Sequence, residues 1–122
     1  MEFNFEKLEV WCKARILVKN IYILIKDFPI DERFALADQI RRASVSVPSN
    51  IAEGCARTSP KEKVHFLEIA YGSLMEAYNQ LLLACDLEYI DTIRVQKLKP
   101  EFEEIAKMMS GMRRNLLDRK QS

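Results

Sequence analysis

Basic side chains are the residues of this sequence best suited to bind a ligand. A guanidinium group presents a planar fork of N–H donors that matches pairs of phosphate oxygens, so the chemistry to consider first is binding of nucleic-acid phosphates. The whole chain has a net charge of only +1, which makes the distribution of charge decisive. The six candidates are Arg41, Arg42, Arg57, Lys61, Arg113 and Arg114.

Charge is unevenly distributed along the chain. Residues 61–90 carry two basic and five acidic groups, a net charge of −3, whereas residues 91–122 carry eight basic and five acidic groups, a net charge of +3. Cations near a helix C-terminus also interact favourably with the helix dipole, so the last segment has two open interpretations. Its most basic stretch contains Lys107, Arg113, Arg114, Arg119 and Lys120.

Local ion pairs are the alternative explanation for two of the arginines. Asp38 precedes Arg42 by four residues, and Glu53 precedes Arg57 by four. An acid four residues before a base is the favourable order for an ion pair on a helix. Arg41 has no such partner, which makes it the better candidate for binding phosphate.

Residues for catalysis or metal binding are sparse. His65 is the only histidine, and no motif surrounds it. The chain has neither a G-x-S-x-G nucleophile elbow nor a glycine-rich phosphate loop. Cys12, Cys55 and Cys85 form no C-x-x-C pair that could hold zinc. We therefore expect a protein that is not an enzyme and that has no metal, cofactor or small-molecule substrate.

The chain shows no feature of a membrane protein. No stretch approaches 18 uninterrupted apolar residues, the length at which a segment becomes a candidate for a membrane span. An odd number of widely spaced cysteines does not suit a disulfide framework and is typical of a reducing compartment. We expect no membrane partner and a cytoplasmic location.

The elements that position these side chains are predicted to be helices. A length of 122 residues suggests one domain covering the whole chain. Apolar residues spaced by three and four predict helices at about 5–27, 31–56, 60–87 and 91–118. The fourth helix begins either near Asp91, passing through Pro100 with a kink, or near Pro100 itself; we favour Asp91. Short connectors make successive helices antiparallel. The predicted fold is an all-α, antiparallel up-down-up-down four-helix bundle.

Pro48 lies inside the second predicted helix. A proline in a helix interior removes one hydrogen bond and costs about 3 kcal/mol. The apolar positions nevertheless keep one phase across it, which predicts a single helix kinked at Pro48. Asn50 and Glu53 are expected to have buried, hydrogen-bonded structural roles near the kink, and Gly54 helps to close the turn that follows. The apolar positions are Leu36, Ile40, Ala43, Val47, Ile51 and Cys55.

The third predicted helix carries a second apolar stripe beside its core seam. A helix in a monomeric bundle needs one apolar stripe, and large exposed apolar patches mark interfaces. The stripe therefore predicts a homo-oligomer interface. The alternative is that the stripe packs within the chain against the first helix. Its residues are Tyr71, Met75, Tyr78, Leu82 and Cys85.

Several sequence motifs resemble one family. "QIRRASVSVPSNIAEGCAR" followed by "FLEIAYGSLMEA" is similar to the signature of the four-helix-bundle proteins encoded by intervening sequences of bacterial 23S ribosomal RNA genes. "FEKLEVWCKA" and "FPIDERFALADQIRRA" also fit, so that the resemblance covers residues 5–117. This family includes the accessory variability determinant of diversity-generating retroelements.

The resemblance implies a four-helix protomer that assembles into a barrel-shaped homopentamer. For the retroelement member it also implies nucleic-acid binding through basic surface. Two functions therefore stand as hypotheses. One is an RNA- or DNA-binding accessory protein that acts as a homo-oligomeric ring. The other is a structural or protein-interaction oligomer with no nucleic-acid ligand. The dependence of binding on salt concentration separates them, because phosphate contacts release counterions.

Overall fold

All regular secondary structure in the described part of the chain is helical. A computed structural model describes residues 1–121, apart from the side chains of residues 120 and 121. No strand occurs among these residues, so the all-α prediction is confirmed. Short 3₁₀ helices at Asn4–Lys7 and Ile30–Glu32 precede the first two α-helices. The four α-helices are α1 (Glu9–Ile25), α2 (Leu36–Cys55), α3 (Pro60–Asp86) and α4 (Thr92–Gln121).

Each α-helix packs against two others. Helix α2 packs against α1 and α3, and α4 packs against α3 and α1. Within the described residues, α1 does not pack against α3, and α2 does not pack against α4, so these two pairs occupy diagonal corners of the bundle. Buried apolar side chains from all four helices form one core. The largest of those that are fully buried are Leu17, Ile21, Ile40, Leu74, Leu81, Ile105 and Met109.

Contacts between neighbouring helices run in opposite sequence directions. Between α2 and α3, Gln80 Nε2 donates to Gln39 Oε1 at 3.4 Å, whereas the Ser46 and Ser73 hydroxyls meet at 2.8 Å. Between α1 and α4, Asn20 Nδ2 donates to a Glu101 carboxylate oxygen at 3.0 Å, whereas Lys13 Nζ lies 2.9 Å from Glu104 Oε1. These contacts support the predicted up-down-up-down order, which stays a prediction.

Helix α2 passes through Pro48 without interruption. The prediction that Pro48 lies inside one helix is therefore confirmed, and the kink itself stays a prediction. Two serine hydroxyls near the proline have specific partners. Ser44 Oγ donates to the Arg41 carbonyl oxygen at 2.9 Å, and the Ser46 hydroxyl bonds to that of Ser73. The second of these bonds ties α2 to α3 just before the proline.

Two helix starts differ from the sequence prediction. The first helix was expected from residue 5, but Leu8 is extended (φ −75°, ψ 124°) and separates a 3₁₀ turn from α1. The second was expected from residue 31, but α2 begins at Leu36. The Glu32 carboxylate accepts a hydrogen bond from the Leu36 amide at 3.2 Å. The side chain that bonds to the first amide of α2 is thus that of Glu32.

The starts of α3 and α4 agree with the sequence. Ser59 Oγ accepts from the Glu62 amide at 3.1 Å, directly before proline at the first helical position. Asp91 Oδ1 accepts from the Arg94 amide at 2.8 Å. Helix α4 then continues through Pro100, which confirms the start near Asp91. Side-chain caps of this kind satisfy amides that the first helical turn leaves without partners.

Gly54 brings α2 unusually close to α3. A Cβ atom added at Gly54 would lie 2.8 Å from Cβ of Phe66, a distance that requires a helix to move. Gly54 is buried, and Arg57 lies over the Phe66 ring with its guanidinium carbon 4.8 Å from the ring centroid. The glycine therefore sets the spacing between the end of α2 and the start of α3.

Replacing Gly54 with alanine should destabilise the fold. We expect Gly54→Ala to lower the free energy of unfolding by about 1–3 kcal/mol, the range for an overpacked core. Gly111→Ala is the matched control, because a Cβ there has nothing within 4 Å. The control should raise the free energy of unfolding by about 0.5–1 kcal/mol. Urea unfolding measures both, and equal effects would contradict the close approach.

Candidate nucleic-acid interface and oligomer surface

The six predicted phosphate-binding residues do not form one site. Arg41 and Arg42 lie near the start of α2, whereas Arg57 follows the end of α2 and Lys61 lies in the first turn of α3. Fourteen positions of α2 lead from Arg41 to its last residue, Cys55, which is about 21 Å at 1.5 Å per residue, and Arg57 lies beyond that end. One contiguous patch containing all six side chains is therefore excluded by their spacing along α2.

Several of these residues share one end of the bundle. A hollow there is lined by Leu8 before α1, Gly54 at the end of α2, Lys63 in the first turn of α3 and Asn115 of α4. Arg57, Lys61, Arg113 and Arg114 belong to the same helix ends. We call this the basic end of the bundle. It also includes the exposed Lys107 one to two turns back along α4, while the Lys120 side chain lies outside the described residues.

The predicted local ion pairs are confirmed. Arg42 Nε lies 3.1 Å from Asp38 Oδ2, and Arg57 Nη2 lies 3.1 Å from Glu53 Oε1. All four side chains are substantially exposed, so each pair contributes at most a few tenths of a kcal/mol. Their significance is electrostatic: two of the candidate cations already have a carboxylate partner.

Arg41 also has partners, contrary to expectation. Its Nη1 donates to the Arg33 carbonyl oxygen at 3.1 Å and lies 3.8 Å from Asp38 Oδ1. The bond to Arg33 could not be predicted from the sequence, because it depends on the turn that precedes α2. Arg41 is therefore tied to the start of α2 and is a weaker phosphate candidate than the sequence suggested.

Arg113 forms an ion pair between helices. Its Nε and Nη2 lie 3.2 and 3.1 Å from Glu68 Oε2 on α3. The two residues are 45 positions apart in the sequence, so no local sequence pattern predicts this pair. By contrast, Lys61 and Arg114 are exposed and form no hydrogen bond or ion pair with any described residue. They are the two of the six candidates whose charges are free to meet a ligand.

The "SNIAEG" motif divides into a structural and an exposed part. Asn50 is half-buried, and its Nδ2 donates to the Ser46 carbonyl oxygen at 2.8 Å and to Ser46 Oγ at 2.9 Å. Through the Ser46–Ser73 bond, Asn50 belongs to a polar cluster between α2 and α3. Glu53 is exposed and bonds only to Arg57 among the described residues, so the expectation that Glu53 is buried was wrong.

The stripe predicted on α3 is largely uncovered. Tyr71, Met75 and Leu82 are 38, 40 and 38% exposed. Tyr78 is half-buried, with its ring 5.1 Å from that of Phe102 on α4. Since α1 and α3 do not touch within the described part of the chain, packing of the stripe against the first helix is excluded. The homo-oligomer interface itself stays a prediction.

A second exposed surface lies on α1 and was not singled out from the sequence. Its members share an orientation away from the core, and they combine large apolar side chains with cations. The signal that could have revealed it is the absence of any acidic residue from Val10 to Lys26. The exposed apolar members are Ile16, Tyr22 and Ile23, and the exposed cations are Arg15, Lys19 and Lys26.

The described residues offer little for catalysis. No group of three His, Cys, Asp or Glu side chains among them could hold a metal ion. His65 is exposed, with its ring edge-on to Phe66. Burial raises the pKa of the Cys85 thiol, which lowers its thiolate fraction at neutral pH and its reactivity. In the described part of the chain, no helix has the length and hydropathy needed to cross a bilayer.

The fold and the exposed cations define a class: a small four-helix protein with polar ends and uncovered helix faces. The model of the 23S rRNA-intervening sequence protein family matches residues 6–111, and the chain belongs to that family. A similar solved structure is a protein of unknown function from the S23 ribosomal protein family of Bacteroides thetaiotaomicron. The two chains are 26% identical with a TM-score of 0.77, over 85% of this chain and 97% of the other. No curated protein matches the chain.

Two substitutions separate the structural and exposed parts of the motif. Asn50→Ala removes both bonds to Ser46 and should lower the free energy of unfolding by about 1–2 kcal/mol. Glu53→Ala removes one exposed ion pair and should change it by less than about 0.5 kcal/mol. Thermal and urea unfolding of both variants make the comparison. A larger effect at Glu53 than at Asn50 would contradict the described bonding.

Proposed function

We propose that this protein is a non-enzymatic nucleic-acid-binding accessory protein that acts as a homo-oligomeric ring with basic surface. The observation that carries the proposal is the pair of exposed cations without described partners, Lys61 and Arg114, at the basic end of the bundle. Membership of a family of 23S rRNA-intervening sequence proteins is consistent with an RNA or DNA ligand. The subunit number, five, rests on the family resemblance alone.

The proposed mode of binding is contact with phosphates, with little readout of bases. Lysine and arginine neutralise phosphates and release condensed counterions irrespective of sequence. Each protomer offers only two of the six candidate cations without a described partner, and its net charge is only +1. Assembly brings several copies of the basic end together, so that the combined field attracts a polyanion more strongly than one copy does. A cytoplasmic location suits this function and the three free cysteines.

A protein-interaction oligomer without a nucleic-acid ligand is the second candidate. Pairing within the chain favours it: Arg42, Arg57 and Arg113 each have a carboxylate partner. The exposed apolar side chains of α3 would then dock a protein partner. Binding through an apolar surface changes little with salt, whereas phosphate binding weakens steeply as salt rises.

Removing the two free cations should weaken nucleic-acid binding. In gel-shift titrations with single-stranded and duplex probes, Lys61→Ala/Arg114→Ala should lower affinity by a similar factor for every probe. The slope of log K against log salt should fall by about 1 for each phosphate that the variant no longer neutralises. Lys97→Ala is the control, because Lys97 is exposed, has no described partner and lies near the start of α4, at the opposite end.

The control should keep wild-type affinity and slope. Absence of binding to any probe at micromolar protein and low salt would reject the nucleic-acid proposal and leave the protein-interaction oligomer. Wild-type binding by the double variant would show that the basic end is not the contact surface.

A further inference from the structure

The outward sides of α1 and α3 have opposite charge. From Val10 to Lys26 the chain contains no acid and four cations, which are Lys13, Arg15, Lys19 and Lys26 itself. From Val64 to Asp86 it contains three acids and no lysine or arginine. Glu68 is paired with Arg113 of α4, so the acids of α3 without an ion pair among the described residues are Glu76 and Asp86. Lys13 turns towards α4, where its Nζ lies 2.9 Å from a Glu104 oxygen, so the outward cations of the first stretch are the remaining three.

Both outward sides also carry exposed apolar side chains. Those of α1 are Ile16, Tyr22 and Ile23, and shallow hollows beside them include Val18. A helix side that combines apolar area with charge of one sign is suited to a surface of similar apolar character and opposite charge. The exposed apolar side chains of α3 are Ile69, Tyr71, Met75, Leu82 and Leu83.

The two sides point in opposite directions. Helices α1 and α3 occupy diagonal corners of the bundle and do not touch within the described residues. A single protomer therefore cannot bring these complementary surfaces together. Two copies can, by placing α1 of one copy against α3 of the next. Such a head-to-tail contact uses two different surfaces and repeats from copy to copy, closing into a ring where the rotation permits.

We propose that the outward side of α1 in one copy docks onto the outward side of α3 in the next copy. The inference rests on the homo-oligomer in the proposed function and identifies its two contacting surfaces. Lys19 and Lys26 of α1 then lie opposite the acidic side chains of α3. Among these, Asp86 is exposed and forms no ion pair with any described residue. The apolar side chains between them supply the buried area.

Gly72 belongs to the same surface. It lies in the middle of the outward side of α3, where a glycine weakens the helix by about 0.5–1 kcal/mol relative to alanine. No contact within the described chain excludes a side chain at this position, because an added Cβ would have no atom within 4 Å. The absence of a side chain at Gly72 leaves space for the close approach of a second copy.

Complementary variants test the head-to-tail arrangement. Lys19→Glu/Tyr22→Glu damages only the α1 surface, and Met75→Lys/Leu82→Lys damages only the α3 surface. All four positions are exposed, so circular dichroism should show a wild-type fold. In size exclusion with light scattering, each variant alone should have the monomer mass of 14.2 kDa. An equimolar mixture should contain a species of twice that mass, because each partner keeps one intact surface.

Each alternative outcome has a definite meaning. If the wild-type protein is itself a monomer at tens of micromolar, the oligomeric part of the proposed function fails together with this inference. If the wild type assembles and the α1 variant assembles equally well, only this inference fails, since the outward side of α1 is then not part of the interface. A mixture that stays monomeric would also overturn it. Nucleic-acid binding is scored separately by gel shift.

Added bulk at two glycines provides a matched pair. Gly72→Leu and Gly111→Leu both add a side chain in open space on a helix. Only Gly72→Leu should shift the protein to the monomer mass, whereas Gly111→Leu should keep the wild-type mass. Assembly unaffected by Gly72→Leu would overturn close approach at this point of α3.

Discussion

The close pairing of α2 with α3 is the interaction on which the arrangement of the other elements depends. Gly54 allows the two helices to approach, and the Ser46 and Ser73 hydroxyls bond between them about two helical turns away. Because α2 contacts α3 closely on both sides of Pro48, the helix can tolerate the proline between those contacts. The missing hydrogen bond is a local loss of about 3 kcal/mol, while the helix is held by tertiary packing along its full length.

The pairing of α2 with α3 also determines which basic residues lie at each end of the bundle. It brings the end of α2 beside the start of α3, so that Arg57 lies over Phe66 and Lys61 follows within a few residues. Helix α4 then ends beside them. The basic end is thus a consequence of helix order and of the short connection between α2 and α3. Arg41 and Arg42 cannot join it, because the length of α2 separates them from that end.

Features that follow a regular spacing within a helix could be predicted from the sequence, whereas turns and contacts between distant residues could not. Apolar periodicity predicted the extent of α3 and the continuity of α2 and α4 through their prolines. It could not locate the starts of α1 and α2, where short 3₁₀ turns at Asn4–Lys7 and Ile30–Glu32 have no periodic signal. Acid–base spacing of four predicted the Arg57–Glu53 pair. No spacing rule reaches the Arg113–Glu68 pair, which depends on how α3 meets α4.

Charge pairing within the chain determines how a ligand could gain affinity. A phosphate that approaches Arg57 must displace the Glu53 carboxylate or bind beside it, and either arrangement reduces the attraction that a free guanidinium would offer. Lys61 and Arg114 have no such competitor among the described residues. One protomer therefore presents a small uncompensated charge, and salt at physiological concentration screens beyond about 8 Å. Strong binding to a polyanion consequently requires several copies held at fixed spacing. The proposed nucleic-acid binding therefore depends physically on the proposed oligomer.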